Sequence, residues 1–119
     1  MKAKIASKMG EIQISSDVIA TYAGATAVGC FGIVGMAKLS MREGGIARLL
    51  RDESLRKGIT VNIVNNEIDL DFHVIVAYGV SIQAVCGNLT ESVRYKLEEF
   101  TGMKVNRVSV YVEGVRLID

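Results

Sequence analysis

The strongest constraint on the fold is the run from Glu67 to Phe100. Apolar Ile68, Leu70, Phe72 and Val74 alternate with polar Glu67, Asp69, Asp71 and His73. That is the two-residue period of a strand with one buried face. From Val74 to Val80 both faces turn apolar, as expected of a strand that is central in its sheet and covered on both sides, or that meets another protein. Then the period changes. Ser81 offers N-cap chemistry, and Ile82, Val85, Leu89, Val93, Leu97 and Phe100 recur at three- and four-residue steps over five turns. Gly102 stands where a C′ residue ends a helix. Val105, Val108, Val110 and Val112 then begin a final strand reaching about Gly114-Val115. Strand, helix and strand in succession imply a crossover with the two strands parallel.

The first half carries a similar unit with weaker signals. Residues 1–9 are short, basic and weakly patterned. Glu11-Ile12-Gln13-Ile14 alternates like a short strand, and Ser15-Ser16-Asp17 supplies oxygens for the free N–H groups of a first helical turn. Ile19, Ala23 and Ala27 follow at helical spacing, on a helix rich in small residues. Ile33-Val34-Gly35-Met36-Ala37 reads as a strand with a bend or bulge at its glycine. Residues 38–57 are a variable basic excursion, six basic residues against three acidic ones. Ile59, Val61 and Ile63 mark the next strand, and Asn65-Asn66 a tight hairpin, because asparagine tolerates positive φ. The expected fold is α+β, a single mixed β-sheet with two main helices on one face. The element order is β-α-β-(variable segment)-β-β-α-β, in one domain over residues 1–119.

Half of the residues are hydrophobic, ample for one core at this length of 119. Fourteen Lys and Arg against 13 Asp and Glu leave a net charge of +1, which gives no global reason to expect nucleic acid or an anionic membrane. No apolar run approaches the roughly 18 residues of a membrane span, and the charged start is not a secretory signal, so a cytoplasmic location is expected. Cys30 and Cys86, far apart and without a CxxC, read as buried reduced thiols and not as a disulfide or zinc site.

Several segments resemble the alkaline shock protein family, the envelope stress response proteins of Gram-positive bacteria. Gly58-Ile59-Thr60-Val61 and Val76-Ala77-Tyr78-Gly79-Val80-Ser81-Ile82 are similar to its central block. Phe100 to Val105 and Val108 to Val115 resemble its closing block. Gly10 to Ile14 and Ile33 to Ala37 resemble its opening. The likeness covers roughly residues 10–116. Gln83 replaces a proline common in relatives, and Cys30-Phe31-Gly32 departs from the usual polar-Gly-Val approach. The resemblance implies a small, non-enzymatic cytoplasmic interaction or scaffold protein of cell-envelope homeostasis. It also implies association with itself and with a membrane-anchored protein partner, and no catalytic set or cofactor.

Two clusters invite a chemical reading. Glu67, Asp69, Asp71 and His73 share one strand face with neighbours ~7 Å apart. They could bind a cation or supply a base, although a straight strand does not converge its oxygens and a solvated polar face is the simpler reading. Arg42, Gly44, Gly45, Arg48 and Arg51 could present N–H groups and charge to an anion. This suggests the alternative of a regulator that binds an anionic ligand or RNA through 38–57. No phosphate-loop fingerprint accompanies them, and no aromatic offers a stacking platform. Tyr78 reads as packed. The long, valine-rich final strand must be covered, paired or protected if it lies at an edge, so self-association by edge pairing or by the small-residue helix is expected.

Overall fold

The computed structural model describes residues 2–7, 9–37 and 58–117. The order is β1 (Lys2–Ser7), β2 (Gly10–Ser15), α1 (Ser16–Val28), β3 (Ile33–Met36), β4 (Ile59–Val64), β5 (Glu67–Ala77), α2 (Ile82–Thr101) and β6 (Val105–Arg116). The α+β class and the order of elements from β2 onward match the sequence reading. The single sheet is corrected in one respect. Residues 2–15 form their own antiparallel hairpin, with Ser7 opposite Gly10, separate from the four-stranded main sheet. The hairpin is tied to the rest by an amide. Asn66 Nδ2 donates to the Lys4 carbonyl (2.6 Å) and its Oδ1 accepts from the Lys4 N–H (3.2 Å). The side chain thus stands in for a strand partner.

β5 is the axis of the main sheet. Its first half pairs antiparallel with β4 and its last residues with β3, while β6 runs parallel along its other side. The 20 residues of α2 span ~30 Å, which is what allows β6 to restart beside the beginning of β5. The Asn65-Asn66 turn has φ of 52° and 64° at its two central residues, the conformation of a two-residue hairpin that matches strand twist. Ser15 and Ser81 cap α1 and α2, accepting from the N–H groups of Val18 and Ala84. Gly102 closes α2 in the left-handed region at φ 74°.

One face of β5 (Ile68, Leu70, Phe72, Val74 and Val76) is fully buried. Both helices lie over it. Ile19, Ala23 and Ala27 of α1 and Val85, Leu89, Val93 and Leu97 of α2 belong to the same core. Ala20, Ala23, Gly24 and Ala27 of α1 are therefore consumed inside the molecule, where they let its backbone approach the sheet, while Ala25 faces outward. Gly58 sits where β3 ends and β4 begins. A Cβ there would lie 2.8 Å from the Ala37 carbonyl and 3.1 Å from that of His73, so only a bare backbone fits the junction.

Candidate functional site

The open face of the main sheet carries the polar row that the sequence singled out. Asp69 accepts from Asn106 Nδ2 (3.1 Å). His73 meets Glu113 (Nδ1 to Oε2, 2.7 Å) and stacks on Tyr111 with ring centroids 4.8 Å apart. Asp71 lies between Thr60 and Ser109. The partners of the row are thus residues of the neighbouring strand, Asn106, Tyr111 and Glu113. Among the described residues, no three His, Cys, Asp or Glu side chains are placed to hold a metal ion. Successive carboxylates on an extended strand stand apart and do not converge on a common centre, and Asp69 is engaged sideways by Asn106 of β6. Glu113 is the member that sequence reasoning missed, because the bulge between Val112 and Gly114 leaves it without a facing residue of β5 and sets it beside His73. Ile75 is the apolar exception on this face. It is 6% exposed because it lies against Gly114 and opposite Gly35, where no side chain competes.

The end of the sheet where β5 stops is chemically different. Phe31 is 78% exposed, Tyr78 70% and Leu117 74%. Backbone bonds hold them near one another: Ala77 N–H donates to the Gly32 carbonyl and Tyr78 N–H to the Arg116 carbonyl. The reason is local. The turn after α1 reverses at Gly32, with φ 86°, and packs so closely on Val85 that a Cβ would lie 2.5 Å from its Cγ2. The turn therefore has no room inward for Phe31, which points outward. Beside it a groove of about 430 Å³ runs along the start of α2, lined by Phe31, Val80, Ala84 and Val85 among others. Tyr78 is exposed here, contrary to the packed position expected of it. Large apolar groups gathered at one exposed place mark a docking surface more often than a catalytic one. A second groove, about 440 Å³, opens at the other end of α2, where Tyr22 and Phe100 stack at 4.0 Å beside Val18.

Arg42, Gly44, Gly45, Arg48 and Arg51 lie outside the described residues. The segment that carries them leaves at Ala37 and returns at Gly58, both beside the His73 carbonyl. The cysteines are free and half-buried, not fully buried as expected. Burial pushes the Cys86 thiol up from its ordinary value of 9.0, which lowers its thiolate fraction and its nucleophilicity. Cys30 Sγ donates to the Thr26 carbonyl (3.4 Å).

Comparison with known proteins shows the family. Residues 4–117 match the alkaline shock protein 23 family, described by a cell envelope-related function. The chain belongs to this family. It is 38% identical to the protein YloU of Bacillus subtilis over 98% of each chain. It is also 38% identical to the protein Spy1614 of Streptococcus pyogenes serotype M6, over 99% of this chain and 98% of the relative. A second Bacillus subtilis protein, YqhY, is 25% identical over 91% of this chain and 78% of its own. No solved structure matches the sequence. Membership in the alkaline shock protein 23 family attaches a cell envelope-related function to a chain in which, among the described residues, no helix is long and apolar enough to cross a membrane.

Proposed function

We propose that this protein is a non-enzymatic scaffold of the cell envelope, working from the cytoplasm by binding itself and a partner protein, the latter anchored in the membrane. The observation that carries the reading is the exposed apolar end formed by Phe31, Tyr78 and Leu117. Each of these groups costs solvation while it faces water, and each gains ~1.5–3 kcal/mol when a partner buries it. Aromatic anchors beside a groove are the usual centre of a protein interface. The family supports an envelope-related role, and a chain in which, among the described residues, no helix is long and apolar enough to cross a membrane reaches the envelope most simply through another protein.

A double variant, Phe31→Asp with Tyr78→Asp, tests this. Both side chains are exposed, so the circular dichroism spectrum and unfolding midpoint should stay close to wild type. In a deletion strain with an envelope defect, wild-type protein should restore resistance and the variant should not. Full restoration by a correctly folded variant would overturn the reading.

A further inference from the structure

We propose that β6 pairs antiparallel with β6 of a second copy of this chain about a two-fold axis at Val110, joining two main sheets into one. The inference rests on the self-association part of the reading above and specifies its geometry. β6 pairs with β5 along one side, and among the described residues no strand lies along the other. In the parallel ladder Ile68 N–H donates to the Lys104 carbonyl (2.9 Å) and Tyr78 N–H to the Arg116 carbonyl (2.8 Å). The even-numbered residues of β5 therefore turn their backbone groups toward β6. The residues opposite them, Val105, Val108, Val110, Val112 and Val115, turn theirs to the free edge. Val105 confirms the direction. Its N–H donates to Glu98 Oε2 (2.9 Å) and its carbonyl accepts from the Arg94 guanidinium, so α2 caps this first position. The edge from Val108 onward is open to another strand.

The spacing of those five valines reads the same in both directions: three, two, two and three residues. The two longer steps coincide with the register shifts at Ile68/Asp69 and Val74/Ile75. A two-fold axis through Val110 superposes one bulge on the other. Val110 then faces Val110 of the second copy, and Val108 faces Val112 of the second copy, and the reverse. These are directly facing pairs, each exchanging both N–H···O bonds. Ser109 comes opposite Tyr111. Arg107 comes opposite Glu113, and both side chains stand on the open face, beside Asp69 and His73 respectively. Bulges and charges on an edge ordinarily discourage pairing. Here their symmetric placement excludes shifted registers and admits one, because a two-residue slip sets each charge against an uncharged residue and each bulge against a regular step. The same axis sets Lys104 against Arg116 beyond the two bulges, so the ladder is matched in charge only between Arg107 and Glu113, and that pair together with the palindromic spacing selects a second copy over an unrelated strand.

The test uses the full-length chain, with mass measured by light scattering and sedimentation from low micromolar to about 100 μM. Wild type should be dimeric at the upper end. Arg107→Glu and Glu113→Arg should each weaken the dimer at least ~10-fold, and the double exchange should restore it. Val110→Pro should give a monomer with an unchanged circular dichroism spectrum, since an edge strand tolerates proline where its N–H faces solvent. If that variant unfolds, the charge exchange decides. A wild-type chain monomeric throughout would overturn both the inference and self-association. A dimer indifferent to Val110→Pro and to charge reversal would leave self-association standing through another surface and overturn the inference. Weakening by both single reversals without recovery in the double exchange would overturn the register.

Discussion

The two long sides of β5 are built differently. On one side two short strands, β3 and β4, lie end to end, and the chain leaves the sheet between them. On the other a single strand of 12 residues runs the whole length. α1 covers the first arrangement and α2 the second. A broken side cannot offer one continuous ladder to another strand, because it is divided between β3, of four residues, and β4, of six. An unbroken side can, unless something caps it. Arg94 and Glu98 cap one position of β6 and leave the rest. The contrast is what singles out β6 for the pairing proposed above, and it leaves the divided side as a place where the chain comes and goes.

Three measurements test this contrast. The largest effect is expected on the divided side. Gly58→Ala forces a Cβ against two carbonyls and the Met36 side chain and should cost ~1–3 kcal/mol in urea unfolding. A neutral result would mean that the β3–β4 junction yields easily and is not a fixed break. A smaller effect is expected on the continuous side. Glu113→Gln weakens the contact with His73 on a half-open face, and at concentrations where the chain is monomeric it should change stability by less than ~1 kcal/mol. A larger loss would make this pair part of the fold and not of its edge. The smallest effect belongs to α2 itself. Because burial holds the folded Cys86 thiol above its unfolded value of 9.0, its contribution to stability is fully present below about pH 9 and is lost as pH rises through the folded value. Cys86→Ser should therefore flatten the alkaline limb of the stability curve slightly, measured as the urea midpoint at about pH 7 and about pH 10. An identical limb in both proteins would remove Cys86 from the account.

The sequence was most legible where one physical demand acted alone. Burial of one face wrote the alternation of Ile68 to Val74 and the helical spacing of Val85 to Leu97. Cap chemistry wrote Ser81 and Gly102, and positive φ wrote Asn65-Asn66. β1 escaped because Ile5 is its only large apolar residue and its partner strand faces mostly solvent, so the hydrophobic period had almost nothing to mark. The fuller signal was the Gly10 reversal with lysines at alternate positions. On the open face Glu67, Asp69, Asp71 and His73 share one side of β5, yet their partners escaped the sequence reading, since they come from β6 across two bulges that shift the count. Tyr78 and Phe31 were invisible as exposed groups for a different reason. Apolar residues are read as core, and for Phe31 only the tight contact of Gly32 with Val85 shows that the turn has no space inward.

The junction at Ala37 and Gly58 has a consequence for how such a chain can change. Its two ends touch, so whatever sequence joins them closes a loop whose base is already fixed. Each doubling of such a loop adds only about 0.6 kcal/mol of closure entropy. Where the joining sequence is a flexible one, material can therefore be added or removed at that doorway while the eight described elements keep their register, much as a room can be extended without moving the walls that frame its entrance.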